Sequence, residues 1–173
     1  LGKSLFLSNL AVNLLRQDLS VVVISLEMSQ DVYAQRFDAH ISEKNINRLK
    51  ENKDDAQGRI RKFYKDHPKA NLFIKEYPPR SIKCSDIDAY LENLKLAGYH
   101  FDVVIVDYLN LICASRQSDN MFTDGLEVSE KLRALSYKYL CPVISATQVN
   151  TAGMNNEDAG MENISQSRGI AHT

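Results

Sequence analysis

The stretch FDVVIVDYLNLI, residues 101–112, carries the strongest strand pattern in the chain. Four consecutive apolar residues, 103–106, lead directly into Asp107, which is typical of a strand covered by helices on both faces. Three other apolar runs have the length of strands: SVVVISLEM at 20–28, NLFIKEY at 71–77 and CPVISATQ at 141–148. Because helical patterns separate these runs, we predict an α/β fold with a mostly parallel, twisted sheet and helices on both faces.

The connections between the strands give three local expectations. Residues 42–69 are polar and charged, and we expect a surface excursion with one short amphipathic helix that carries Ile60 and Phe63. Ser85 is expected to cap the helix that follows the run NLFIKEY. The polar segment CASRQSDNMFTDG, residues 113–125, is expected to be a loop before the last helix.

The composition is that of one globular domain. The chain has 173 residues, of which 44% are hydrophobic and 25% charged, so it can bury a sizeable core. A net charge of -1 excludes a global basic footprint, and contact with nucleic acid would need a local patch or a ring of subunits. The 3 cysteines lack metal-site spacing, which favours free thiols, and no apolar run is long enough to span a membrane.

Gly2, Lys3 and Ser4 form the triplet with which a phosphate-binding P-loop ends. An apolar helix pattern begins directly behind the triplet, as a P-loop requires. In this interpretation Lys3 reaches the β- and γ-phosphates of ATP, the hydroxyl of Ser4 holds Mg²⁺, and the helix N-terminus adds its dipole. The triplet alone is also compatible with a helix that merely begins with polar residues.

Three further polar residues close the predicted strands. Asp107 matches a Walker B carboxylate, which holds Mg²⁺ through water, and Glu27 could polarise the water that attacks the γ-phosphate. Gln148 could sense the γ-phosphate and report to the next loop. Each residue alone is compatible with an ordinary polar strand end. Because parallel sheets place their sites at the carboxyl ends of strands, we expect all three to converge with Ser4 at one edge.

The order and spacing of GKS with its helix, ISLEM, VVIVDYLNLI and VISATQVN resemble the ATPase domain of DnaB-type replicative DNA helicases. The segments KSLFLSNLA, EMSQDVYAQRFDAH, KEYPP and ENISQSRGIAHT are most similar to the branch of that family found in T4-like phages. The resemblance covers essentially the whole chain. It implies a RecA-like P-loop NTPase core that uses ATP and Mg²⁺ to move along single-stranded DNA and unwind duplexes.

The resemblance also implies roles for residues at matching positions. Gly2, Lys3 and Ser4 match the end of Walker A, and Glu27 matches the catalytic glutamate. Asp107 matches the Walker B aspartate, and Gln148 matches the glutamine that links nucleotide state to DNA.

The polar loops after Asp107 and Gln148 would face the central channel of a hexameric ring, where single-stranded DNA passes. The polar candidates in these loops are Arg116, Asn150, Asn155 and Asn156, which are equally compatible with plain solvated loop residues. The resemblance alone implies a primase and a helicase loader as partners. It also implies a cytoplasmic location, which is the host cytoplasm for a phage protein.

Two features depart from the family pattern. The chain begins inside Walker A and stops before the strand that carries the family's arginine finger, so we interpret residues 1–173 as one RecA-like domain truncated at both ends. Gln166-Ser167 stands where the family usually has Glu-Ser. We therefore expect this fragment to bind ATP poorly, to hydrolyse little of it and to form no stable ring.

Two alternatives stay open. A RecA-type recombinase or a KaiC-type ATPase would share the fold, although SLEM with VDYL argues against the recombinase. A RecA-like scaffold module that does not hydrolyse ATP would also share it.

Overall fold

A computed structural model of the chain describes residues 2–115 and 121–147. In these residues helices and strands alternate, with two short 3₁₀ turns at Ile46–Arg48 and Leu109–Leu111. The helices are α1 (Lys3–Leu15), α2 (Gln30–Ser42), α3 (Lys53–Asp66), α4 (Cys84–Leu96) and α5 (Met121–Tyr139). The strands are β1 (Val21–Ser25), β2 (Leu72–Glu76), β3 (Val103–Asp107) and β4 (Val143–Ser145).

The four strands form one parallel sheet in the order β2-β1-β3-β4. Val21 of β1 is the register partner of both Leu72 in β2 and Val103 in β3, so β1 is paired along both of its edges. All five residues of β1 and all five of β3 are buried. The predicted parallel sheet is confirmed, and its two central strands are the two with the longest apolar runs.

Side chains of the central strands alternate between two apolar layers, as the two-residue period of a strand requires. Val22 and Val104 pack with the buried faces of α4 and α5, whereas Val23 and Ile105 pack with those of α1 and α2. The prediction of helices on both faces is therefore confirmed. Within the described residues, no helix is long and apolar enough to cross a membrane.

The excursion between α2 and β2 is more ordered than its polar sequence predicts. Helix α3 has 14 residues, although Ala56 is its one buried residue. Asp54 and Asp55 lie in its first turn and Lys65 in its last, which complements the helix dipole. A 2.5 Å ion pair from Lys44 to Asp55 joins α3 to the end of α2. The predicted amphipathic helix is present, and its Ile60 and Phe63 pack against the apolar layer that contains α1 and α2.

Two predicted helix starts were wrong. Helix α4 is capped at Lys83 rather than at Ser85, because the carboxylate of Asp86 accepts a 2.8 Å hydrogen bond from the Lys83 N–H. Helix α5 already includes residues 121–125, which we expected in a loop. Asp124 lies in the first turn of this helix, where a carboxylate complements the helix N-terminus.

Candidate functional site

The carboxyl ends of β1 and β3 lie side by side at one edge of the sheet. Ser25 and Asp107, the last residues of the two strands, are register partners. The backbone N–H of Leu26 donates a 2.8 Å hydrogen bond to the carbonyl of Asp107, which continues the pairing beyond the strand. Glu27 comes two residues after β1 and is exposed. The structure therefore brings Glu27 and Asp107 to the same edge, as we expected.

A tight turn holds Glu27 at this edge. The Ser25 hydroxyl donates a 2.5 Å hydrogen bond to the carbonyl of Met28 and accepts a 3.2 Å hydrogen bond from the Met28 N–H. The next residue, Ser29, caps α2 because its hydroxyl accepts a hydrogen bond from the Val32 N–H at 3.3 Å. Both ends of the turn are thereby fixed, and the exposed Glu27 lies between them.

The start of α1 reaches the same edge. The ammonium of Lys3 lies 3.8 Å from the ring centroid of Tyr108, within the range of a cation–π interaction. Gly2 precedes the helix with a φ of 97°, a left-handed conformation that favours glycine. Burial raises the pKa of the Tyr108 phenol, and the negative charges of Glu27 and Asp107 raise it further. The start of α1 therefore lies against the residue that follows Asp107.

Asp107 is completely buried, and its two carboxylate oxygens have different surroundings. Oδ2 accepts a 2.5 Å hydrogen bond from the hydroxyl of Tyr33. Oδ1 has no hydrogen-bond partner among the residues that the structure describes. A buried polar atom without a partner is uncommon in folded proteins and costs free energy. This oxygen is therefore a free acceptor, which fits a water of hydrated Mg²⁺.

Tyr33 is a site residue that the sequence reasoning missed. It occupies an apolar position of α2, where its ring stacks on Phe37 at a centroid distance of 5.7 Å. Burial raises the pKa of its phenol well above the ordinary value, and the hydrogen bond to Asp107 raises it further, whereas a hydrogen bond with Ser4 opposes the shift. Tyr33 therefore contacts the buried carboxylate of Asp107 directly. The available signal was that a buried tyrosine hydroxyl needs a partner.

The end of β4 is joined to the segment after Asp107. The Ser145 hydroxyl donates a 2.8 Å hydrogen bond to the carbonyl of Val106 and accepts one of 3.1 Å from the Leu109 N–H. The Thr147 hydroxyl donates to Oδ1 of Asn110 at 3.1 Å. Gln148 follows Thr147 but lies outside the described residues. The four predicted DNA-contact residues also lie outside them: Arg116, Asn150, Asn155 and Asn156.

The donors at this edge suit a magnesium ion that arrives with phosphates. Within residues 2–115 and 121–147, no group of three or more His, Cys, Asp or Glu side chains could hold a metal ion. The Ser4 hydroxyl and the Asp107 carboxylate are oxygen donors, which Mg²⁺ prefers, and Mg²⁺ usually keeps several waters and binds phosphates as well. Lys3 adds a positive charge at the same edge.

Comparison with known proteins gives a consistent picture. The family model for the DnaB-like helicase C terminal domain matches residues 1–167. The DnaB-like replicative helicase of Enterobacteria phage T4 is 28% identical over 99% of this chain. The chain spans only 38% of the length of that relative and 35% of a replicative DNA helicase DnaB from Helicobacter pylori.

Solved structures show the same fold. One structure, described as an ATPase domain, has a TM-score of 0.81 at 18% identity, and the match covers 99% of this chain and 62% of that one. A DnaB-like replicative helicase, described together with its interactions with primase, has a TM-score of 0.76 at 18% identity over 94% of this chain and 40% of that one. The expected RecA-like fold is confirmed.

Proposed function

Because the chain belongs to the DnaB-like helicase C-terminal domain family, we propose that it is the ATPase motor of a replicative DNA helicase. In this proposal residues 1–173 form one domain, which binds ATP with Mg²⁺ and uses hydrolysis to move along single-stranded DNA and separate strands. One observation carries the proposal: Oδ1 of Asp107 is buried and has no hydrogen-bond partner among the described residues. The start of α1 lies at the same edge of the sheet.

Each residue at the edge has a defined part in this proposal. Lys3 binds the β- and γ-phosphates, and the Ser4 hydroxyl and Asp107 hold the metal ion. Mg²⁺, when bound, would neutralise the negative charge on the phosphate oxygens. Glu27 is exposed beside Asp107 and accepts the proton of the attacking water.

The remaining roles are proposed from the family resemblance. Gly2 provides the end of the phosphate-binding loop, and Gln148 links the state of the nucleotide to DNA. Arg116 and three asparagines (Asn150, Asn155 and Asn156) line the channel of a ring of copies of this chain. Six copies of even one arginine would give such a channel a positive charge, although the chain itself carries a net charge of -1. A primase and a loader are the proposed partners.

The proposal is tested by the ATPase activity of the full-length protein, with and without single-stranded DNA. Lys3→Ala is expected to abolish turnover because the phosphates lose their cation. The matched control is Lys62→Ala, which removes an exposed lysine of α3, a helix that contributes no residue to the candidate site. Turnover that DNA stimulates and Lys3→Ala removes supports the motor.

Two other results would contradict the proposal in different ways. Robust turnover that is indifferent to DNA would favour a KaiC-type ATPase. Absence of turnover in the wild-type protein would favour a scaffold module that does not hydrolyse ATP. A strand-displacement assay on a forked duplex then separates a helicase from a DNA-stimulated ATPase that does not unwind.

A further inference from the structure

We propose that Tyr33 is a positioning residue for Asp107: its hydroxyl holds Oδ2, so that Oδ1 alone is presented to the metal ion and its waters. This inference rests on the proposed function, since it concerns how the same site binds Mg²⁺. It adds a residue from α2 to a site otherwise built from the ends of β1 and β3 and the start of α1.

The contact geometry is specific. The hydroxyl oxygen of Tyr33 lies 2.5 Å from Oδ2 of Asp107, and neither side chain has any exposed surface. The ring of Tyr33 is fixed by its stacking on Phe37 and by the apolar layer that also contains Val23 and Ile105. A hydroxyl on a ring packed in this way defines the position of the carboxylate that it contacts.

The two oxygens of Asp107 therefore have different roles. A carboxylate that accepts no fixed hydrogen bond can rotate about its last torsion, which is broad for aspartate, and can exchange its oxygens. The phenol of Tyr33 is a donor, so it occupies one acceptor oxygen and removes this freedom. Oδ1, which has no partner in the described part of the chain, is left to accept from metal-bound water.

The test compares Tyr33→Phe with Tyr139→Phe in the full-length protein. The hydroxyl of Tyr139 also donates to an aspartate, with 2.6 Å to Oδ1 of Asp88, but it lies at the far end of α5. The first readout is the binding of Mn²⁺ in the presence of a non-hydrolysable ATP analogue, measured by electron paramagnetic resonance. Partners of metal ligands typically change metal affinity by about 10- to 100-fold, so we expect a rise in the Mn²⁺ dissociation constant of about 10-fold for Tyr33→Phe.

Three further readouts define the role. Binding of the nucleotide in EDTA is expected to be unchanged in Tyr33→Phe, because the phenol acts through Asp107 and not on the phosphates. The Mg²⁺ concentration for half-maximal ATPase is expected to rise, whereas the rate at saturating Mg²⁺ changes little. In an Asp107→Asn background, Tyr33→Phe is expected to have no additional effect on metal binding.

The inference is overturned if Tyr33→Phe and Tyr139→Phe bind Mn²⁺ with the affinity of the wild-type protein. A wild-type protein without metal-dependent turnover would instead overturn the proposed function. If Tyr33→Phe does not fold, the wild-type protein labelled with ¹³C at Cζ of tyrosine serves as the second test. We expect the Tyr33 resonance to keep its hydrogen-bonded position when Mg²⁺ and the analogue are added, and a shift to the value of a free phenol would contradict the proposal.

Discussion

The hydroxyl of Tyr33 and the carboxylate of Asp107 form a 2.5 Å hydrogen bond in which both side chains are completely buried. The bond joins the first helix turn after β1 to the last residue of β3, across the two central strands of the sheet. A buried carboxylate is costly unless it is paired, and among the described residues it has one donor for two oxygens. The fold therefore keeps an incompletely satisfied group where the proposed chemistry needs a free acceptor.

Asp107→Asn is expected to stabilise the protein while it abolishes metal-dependent activity. The amide oxygen can still accept from Tyr33, and the change removes a buried negative charge, so we expect the free energy of unfolding to rise by about 1 kcal/mol. Urea denaturation of both proteins without metal measures the change. A loss of more than about 1 kcal/mol would mean that the ionised group is compensated in the folded state.

Tyr33→Phe is expected to reduce the free energy of unfolding by about 1–3 kcal/mol, because it leaves a second oxygen of Asp107 without a partner. Tyr139→Phe is expected to cost less, since Asp88 keeps its 2.7 Å ion pair with Lys138. Chemical denaturation of the two variants in one buffer tests the order. Equal losses would show that Asp107 finds another donor when Tyr33 is shortened.

Acid is expected to weaken the connection between α5 and Ser115. Hydrogen bonding from Lys131 holds the pKa of Glu127 at about 2, and Glu127 accepts a 3.1 Å hydrogen bond from the Ser115 N–H. Because the pKa is lower when folded than the ordinary 4.5, this contribution is complete above pH 4.5 and is lost as the pH falls toward 2.

The check is a ¹³C titration of the Glu127 carboxyl in the wild-type protein and in Lys131→Met. The variant is expected to titrate closer to 4.5, with Lys62→Met as a control that leaves Glu127 unchanged. The same shift is expected to shrink in about 1 M salt, because the pair is near the surface and screened. An unchanged Glu127 titration in Lys131→Met would contradict this explanation.

The three free cysteines are expected to react at different rates. Burial raises the pKa of the Cys84 thiol to about 12 and also raises that of Cys141, whereas Cys113 is only half-buried. Since the thiolate is the reactive form, a disulfide reagent at about pH 8 is expected to modify Cys113 first. Cys113→Ser should remove the fast phase, and urea should make all three thiols equally reactive. Fast labelling of Cys84 in the native protein would be the contrary result.

Much of the fold could be predicted because its determinants are local. The apolar runs that end at Ser25 and Asp107 were long enough to identify the two central strands, and parallel pairing followed from the helices between them. The meeting of Glu27 with Asp107 followed in turn, since the carboxyl ends of parallel strands share one edge. The roles of these residues remain predictions.

The missed features depend on contacts that no periodicity encodes. Tyr33 occupies an ordinary apolar position in α2, and its role exists only because Asp107 lies beneath it, 74 positions away in sequence. The cap of α4 was assigned to Ser85, whereas the carboxylate of Asp86 satisfies the Lys83 N–H. In each case the pattern located the helix but not the partner of a single polar group.

The all-parallel sheet has a consequence for how the molecule folds. Among the four described strands, none pairs with its neighbour through a hairpin: the hydrogen bond from the Ser20 N–H to Asp102, where β1 and β3 begin, spans 82 positions. Such high contact order makes folding slow, because loop-closure entropy is lost before the pairing repays it. A chain emerging from the ribosome as far as β2 already contains Ser4 and Tyr33 but not the carboxylate of Asp107. The candidate site therefore comes into existence only when β3 adds to the free edge of β1, before α5 and β4 complete the apolar layer on one face of the sheet.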